Sequence, residues 1–126
     1  MADPVVRVVI GVAAAGAAVG FALVAWRAER RRALRVPLSL SGIDGRVVLF
    51  SDAGCARCDQ ARRALETIGK PYEEIAYDEQ PGLVTAAGVE GVPLIVVRRP
   101  DGSEAGRMAG KVTPRRLRRL LAAAGL

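Results

Sequence analysis

Residues 46–58, RVVLFSDAGCARC, decide how this chain folds. The apolar run 46–51 predicts a buried parallel strand, and the next three residues break it. From Cys55 onward the pattern becomes helical, because apolar residues recur at spacings of three or four. These residues are Cys58, Ala61, Leu65 and Ile68. Gly69 and Pro71 follow in the order that ends a helix. A strand therefore leads directly into a helix that carries two cysteines in its first turn.

Further strands and helices are predicted after this unit. They are a strand over 71–77, a helix over 80–87 closed by Gly88, a strand over 93–98, a strand over 104–108, and a last helix capped by Thr113 with Pro114 at its first position. The order is β-α-β-α-β-β-α. The first β-α-β unit requires a parallel pair with a right-handed crossover, and the turn at 100–102 makes the last pair antiparallel. We expect an α/β fold with a four-stranded mixed sheet and helices on both faces.

The composition limits the classes of protein that the chain can belong to. Its 126 residues allow one domain, or a smaller domain with an added segment, and rule out a large multidomain enzyme. Half of the residues are apolar, which excludes a fully disordered chain. The absence of His removes His bases and His metal ligands, and two Cys exclude a scaffold with several disulfides.

The N-terminal segment is predicted to be a membrane anchor. Residues 8–26 carry no charge, and as a helix they would span about 28 Å, close to the hydrocarbon thickness of a bilayer. A cleaved signal peptide and a buried helix are the alternatives. The apolar run is long for a signal peptide, and residues 25–30 make a poor cleavage site. We therefore predict an uncleaved single-pass anchor that contacts the lipid bilayer through residues 8–26.

A block of arginines follows this segment and predicts its orientation. It consists of Arg27, Arg30, Arg31, Arg32 and Arg35, whereas Arg7 alone precedes the segment. This bias predicts that the C-terminal domain faces the cytoplasm. The division is then an anchor over 1–26, a basic linker over 27–45 and a domain over 46–126. The block is expected to contact anionic lipid, and no nucleic-acid partner is expected because no aromatic residue interleaves it.

The chemistry is predicted to lie in the Cys55–Cys58 pair. A helix N-terminus offers free N–H groups and the positive end of a dipole, and Arg57 adds a positive charge. Each of these lowers the pKa of a thiol. Cys58 lies deeper in the helix, on its apolar side. We therefore assign Cys55 as the attacking thiol, Cys58 as the resolving thiol and Arg57 as a residue that tunes the pKa.

Two other interpretations of the cysteine pair stay open. A mononuclear zinc site needs four ligands, so a metal or iron–sulfur centre would require two chains or added carboxylates. The cysteines could also be two buried apolar side chains with no reactivity. The strand-to-helix context favours a redox pair, and no metal or cofactor is predicted.

Residues 91–93, Gly-Val-Pro, stand directly before the third predicted strand. Proline removes an N–H donor and is unusual at the start of a strand. A cis peptide bond would expose the main chain of Val92 beside the cysteine pair, whereas a trans proline would only open the strand. The sequence does not distinguish the two.

Residues 46–126 resemble a domain of the thioredoxin superfamily. The resemblance rests on the cysteine pair after the first strand, on Gly91-Val92-Pro93, and on residues 101–110, which are similar to the closing hairpin of thioredoxins. The compact start is closer to glutaredoxins. The resemblance implies that Pro93 is a cis-proline facing the cysteine pair. It also implies that the main chain of Val92 binds an extended partner segment by β-like pairing.

The chain departs from the family at several positions. Gly54 stands in place of the thioredoxin Trp, and Ala56-Arg57 replaces both Gly-Pro and the Pro-Tyr of glutaredoxins. Residues 110–113 replace the Gly-Gly-Asp type end of glutaredoxins, so glutathione is not an expected partner. Leu49 occupies the place of the buried thioredoxin Asp that moves the proton of the resolving thiol. Asp52 or Asp59 could take part of that role, or solvent and Arg57 could.

The last predicted helix has a basic face, formed with Lys111 by Arg115, Arg116, Arg118 and Arg119. It is either a solvated surface or a contact for anionic lipid. Together these features predict a membrane-anchored thiol–disulfide oxidoreductase that acts on a protein partner. In one form of this prediction, the partner is also membrane-bound. The alternatives are a binding module without turnover and a dimeric metal or iron–sulfur carrier.

Overall fold

A computed structural model describes residues 3–34 and 37–126, with the side chains of Arg30 and Ala33 left out. Arg35, part of the predicted arginine block, lies outside the described residues. The chain divides after residue 32 into two compact units.

The first unit is formed by one helix, α1 (Pro4–Ala33), whose last residue is counted with the second unit. Residues 4–29 are long and apolar enough to cross a membrane, and their large apolar side chains are exposed. The length and composition of this helix are also those of a signal sequence near an N-terminus. The helix is therefore a candidate membrane anchor.

The second unit contains the predicted order of strands and helices. The elements are β1 (Val47–Ser51), α2 (Ala56–Ile68), β2 (Glu73–Ala76), α3 (Pro81–Ala87), β3 (Leu94–Arg98), β4 (Glu104–Ala109) and α4 (Pro114–Ala123). Gly69 and Gly88 end α2 and α3 in the left-handed conformation, and Thr113 caps α4. These local signals confirm the predicted fold class.

The strands form one mixed sheet in the order β2-β1-β3-β4. β1 runs parallel to β2, with Phe50 beside Ile75, and antiparallel to β3, with Phe50 opposite Leu94. β3 and β4 form the predicted antiparallel hairpin. The ends of β1, β2 and β4 and the start of β3 therefore meet at one edge of the sheet. We call this the Cys edge, because the loop from β1 to α2 leaves it.

Both faces of the sheet are covered by apolar side chains. On one face, α2 and α4 pack against Leu49 and Ile95, and on the other, α3 packs against Phe50 and Val96. All four of these strand residues are fully buried. The β1 and β3 strands are covered on both sides, which explains why their sequences are continuous apolar runs rather than alternating ones.

The predicted linker over 27–45 belongs partly to a helix and partly to the folded unit. Its first residues lie in α1, which extends to Ala33. Its last residues pack on the domain: Ile43 is 2% exposed, and the N–H of Ser39 donates to the carbonyl of Ala87 at 2.9 Å. The Arg98 guanidinium donates to the carbonyl of Ile43. Apolar contacts of the domain therefore begin before residue 46.

Candidate active site

Cys55 and Cys58 are joined in a disulfide at the Cys edge, with their Cα atoms 5.2 Å apart. Gly54 precedes the pair with a φ of +66°, a conformation that residues with a Cβ rarely adopt. This turn redirects the chain from β1 into α2. Cys55 is then the N-cap of α2, with extended backbone angles, and Cys58 lies within the first turn.

The two sulfurs differ in their access to solvent. Cys58 is fully buried, whereas Cys55 is half-buried. The Sγ of Cys55 accepts a hydrogen bond from the backbone N–H of Cys58 at 3.1 Å. A donor of this kind, at the positive end of a helix, favours a thiolate once the disulfide is reduced. An incoming disulfide can therefore reach Cys55 more easily than Cys58.

Arg57 lies in the same turn of α2 and is exposed. No hydrogen bond or ion pair joins its guanidinium to another residue in the part of the chain that the structure describes. Its charge is therefore not neutralised by a neighbouring carboxylate. Its role in tuning the cysteine pair stays a prediction.

Val92 and Pro93 come to the same edge from the other side of β1. The Val92–Pro93 peptide bond is cis, and Pro93 is buried. Because Phe50 pairs with Leu94, Pro93 lies level with the last residue of β1, just before the cysteine loop. Among the described residues, neither the N–H nor the C=O of Val92 has a hydrogen-bond partner. That main chain is free to pair with an extended segment, although the binding role itself stays a prediction.

A polar network beside the cysteine pair was not predicted from the sequence. Ser51, at the end of β1, is 1% exposed and donates from Oγ to Oε1 of Glu74 at 3.3 Å. Arg62 on α2 contacts the same carboxylate at 2.6 Å and the carboxylate of Asp59 at 2.8 Å. Hydrogen bonds to Glu74 and Asp59 raise the pKa of Arg62 above its ordinary value. The network links α2 to β2 near the cysteine loop.

Part of this network could have been found by spacing alone. Asp59 and Arg62 are three residues apart on a helix, where opposite charges meet. The contact between Arg62 and Glu74 depends on the parallel register of β1 and β2, which places Glu74 beside Leu49. The spacing of residues along one helix does not predict a contact between that helix and a strand.

The structure also describes the residues considered for proton transfer. Leu49 is fully buried among apolar side chains, so it supplies no proton acceptor. Asp59 is paired with Arg62, and its side chain is 60% exposed. Asp52 accepts a hydrogen bond from the N–H of Ala53 at 2.8 Å. Within the described residues, no group of three or more His, Cys, Asp or Glu side chains is arranged to hold a metal ion.

Comparisons with known proteins agree with this arrangement. No protein-family model matches the chain, and no curated protein matches it in sequence. Among solved structures, the chain is similar to a thioredoxin mutant from Halobacterium salinarum, with 25% identity and a TM-score of 0.54. The match covers 62% of this chain and 72% of that one.

Two further solved structures are similar to this chain. Desulfothioredoxin from Desulfovibrio vulgaris Hildenborough, in its reduced form, is 27% identical over 67% of this chain and 85% of its own, with a TM-score of 0.53. Thioredoxin from Malassezia sympodialis has 18% identity over 64% of this chain and 74% of its own. With a TM-score of 0.54, it shares the fold. Together with the cysteine pair at the start of α2, the likenesses at 25% and 27% identity show that the folded unit of this chain belongs to the thioredoxin superfamily.

Proposed function

We propose that the chain is a membrane-anchored thiol–disulfide oxidoreductase that exchanges disulfides with a protein partner. The observation that carries the proposal is the disulfide at the N-terminus of α2, with one accessible and one buried cysteine. The thioredoxin-like fold and the cysteine pair support activity of this class. The identity of the partner, the anchoring and the separate roles of the two cysteines are the finer parts of the proposal.

The proposed reaction begins with the reduced pair. The Cys55 thiolate attacks one sulfur of the partner disulfide, forms a mixed disulfide and releases the other partner sulfur as a thiolate, which takes up a proton. Cys58 then loses its proton and attacks Sγ of Cys55. The intramolecular disulfide closes and the second partner sulfur leaves as a thiol. Two electrons have moved from the cysteine pair to the partner.

Binding of the partner is assigned to the main chain of Val92. Its N–H and C=O have no partner among the residues that the structure describes, which supports β-like pairing with an extended segment that carries the target disulfide. Pro93, directly before β3, is proposed to hold this main chain at the Cys edge. Arg57 is proposed to stabilise the Cys55 thiolate by its positive charge.

The direction of exchange follows from the proposed location. The arginines after the anchor segment support a cytoplasmic domain. Thiols are kept reduced in that compartment, so the natural direction there is reduction of the partner. An outward-facing domain would instead serve disulfide formation or maturation outside the cytoplasm.

A redox titration of the full chain in nanodiscs tests the proposal. The chain is equilibrated in defined thiol–disulfide buffers, its free thiols are alkylated, and the products are weighed. A reversible two-electron couple with a reduction potential of about −270 mV supports a reductase. A potential of about −120 mV supports an oxidant facing outward. If no intramolecular disulfide forms at any potential, the oxidoreductase proposal fails.

The Cys58→Ser variant tests the proposed order of attack. Without the resolving thiol, the mixed disulfide between Cys55 and a partner peptide should accumulate and be visible by mass. Cys55→Ser should form no such adduct. Accumulation in Cys55→Ser instead would reverse the two roles. Loss of the adduct in both variants, with partner binding retained, would favour a binding module.

A further inference from the structure

The outer face of α4 carries four exposed arginines, which we call the α4 arginine face: Arg115, Arg116, Arg118 and Arg119. The opposite side of the helix is buried through Leu117 and Leu121, which are 0% and 2% exposed. Charge and burial therefore lie on opposite sides of a single ten-residue helix.

The packing of α4 on the sheet determines which side faces out. Leu117 and Leu121 lie in the same apolar cluster as Leu49 and Ile95. Gly106 on β4 allows Leu120 to come close, because a Cβ at Gly106 would lie 2.6 Å from Cδ1 of Leu120. The arginines cannot turn inward without giving up these contacts.

No acidic group in the described residues forms an ion pair with the α4 arginine face. The ion pairs of the folded unit belong to Arg62 and Arg107 instead. Arg116 donates to the carbonyl of Lys111 at 3.1 Å, which leaves its charge in place. Arginines three or four residues apart on a helix repel each other. A partner that supplies negative charge would relieve this repulsion.

The rest of the chain indicates what kind of anionic partner this is. The candidate anchor α1 ends with exposed basic residues of the same sign, among them Arg27, Arg31 and Arg32. Five residue steps separate Ala33 from Leu38, which packs on the domain, so this connection reaches about 18 Å at most. A domain tethered so closely meets the lipid surface at high effective concentration.

We propose that the α4 arginine face docks on the anionic headgroups of the membrane that α1 spans. The proposal rests on the anchoring part of the proposed function and not on the redox chemistry. Because α4 begins next to the loop that follows β4, docking would hold the Cys edge close to the lipid surface. Partners would then be disulfides that lie near the headgroups.

A spin label on the full chain tests the docking. The exposed Ala122 on α4 is changed in Ala122→Cys, and the exposed Ala86 on α3, on the opposite face of the sheet, in Ala86→Cys. Both changes are made in the Cys55→Ser/Cys58→Ser background, so that an iodoacetamide nitroxide reacts only with the new thiol. Each labelled chain is placed in nanodiscs of phosphatidylcholine alone or with phosphatidylserine. Power saturation then measures how easily a water-soluble relaxation agent reaches the label.

The label at Ala122 should lose several-fold of its accessibility in phosphatidylserine discs, and the loss should disappear in high salt. The label at Ala86 should not change. The double variant Arg115→Gln/Arg119→Gln should weaken docking about 25-fold, since each basic side chain near an anionic surface contributes about fivefold. The matched variant Arg63→Gln/Lys70→Gln removes the same charge from other exposed sites and should retain docking.

Several results would overturn the proposal. They are equal accessibility of the Ala122 label in neutral and anionic discs, equal weakening by the two double variants, and shielding of that label by mixed-sequence RNA but not by anionic lipid. If extraction at alkaline pH releases the chain from the lipid, α1 is not a membrane anchor. The docking proposal then fails together with the anchoring. The redox titration is independent of all these results, so failure of docking and failure of the redox activity are distinguishable.

Discussion

The helices α2 and α4 are built alike and carry different chemistry. Both pack on the same face of the sheet, and both have an N-cap side chain that accepts a hydrogen bond from the backbone N–H three residues later. In α4 the acceptor is the hydroxyl of Thr113, at 3.3 Å, and in α2 it is the sulfur of Cys55, at 3.1 Å. Hydroxyls are preferred caps, whereas sulfur is a weak acceptor.

At the N-cap of α2 a sulfur that is proposed to react therefore stands in place of the stronger hydroxyl cap. The same N–H groups that need a cap also stabilise a thiolate. In α4 the cap has only a structural task, and the charges are on the outer face instead. The two helix starts therefore share their local geometry, and the reactivity proposed for α2 depends on its capping atom.

The first and largest effect concerns the capping atom of α2. Cys55→Ser keeps an acceptor at the N-cap, an oxygen in place of the sulfur, but removes the proposed nucleophile, so we expect disulfide exchange to fall to the uncatalysed rate. The measurement is single-turnover exchange between the reduced full chain and a disulfide-linked fluorogenic peptide. Thr113→Ser is the matched control and should leave the rate unchanged. An active Cys55→Ser variant would show that the α2 cap is not the reacting atom.

The second effect concerns the packing under α4. Leu117 is fully buried, and Leu117→Ala should lower the free energy of unfolding by about 3 kcal/mol, because it removes buried methyl groups and leaves a cavity. Leu120→Ala, at a partly exposed position of the same helix, should cost clearly less. Chemical denaturation followed by circular dichroism measures both changes. Equal losses would mean that α4 is not seated through Leu117.

The third effect is the difference in how much each of the two caps stabilises the folded unit. Thr113→Ala removes the hydroxyl that accepts from Arg116 and should cost about 1 kcal/mol of stability, with no change in the exchange rate. Cys55→Ala should cost less than this when compared with the reduced chain at acidic pH, where Cys55 is a neutral thiol and the weaker acceptor. Denaturation of both variants under reducing conditions gives the two costs. A larger cost for Cys55→Ala would reverse the ranking of the two caps.

The smallest effect compares the arginines of the two helices. Arg62 on α2 is paired with Glu74 and Asp59 at partly exposed positions, so Arg62→Gln should destabilise the domain by about 0.5 kcal/mol. Arg118 on α4 has no acidic partner among the described residues, so Arg118→Gln should be neutral or slightly stabilising. Denaturation at low and high salt checks this, because salt should reduce the difference between the variants. A destabilising Arg118→Gln would indicate an attractive contact on α4.

Signals that lie within a few residues of each other were enough to predict most of the fold. The order of elements, the glycines that end α2 and α3, the Thr113 cap and the cysteine pair at the start of α2 all follow from neighbouring residues. Apolar periodicity, capping and turn chemistry act over one or two helical turns. Local sequence was therefore sufficient to predict which segments form strands and helices, and which helix carries the cysteine pair.

The way in which these segments meet depends on packing between distant parts of the chain. The antiparallel pairing of β1 with β3 brings Pro93 level with the cysteine loop, and the parallel register of β1 with β2 joins Ser51 to Glu74. Ile43 is buried although it precedes the predicted domain. Strand order and register depend on which apolar faces are covered together, across distances of many residues along the chain. No short window of sequence contains that information, because the packing energy belongs to the assembled sheet.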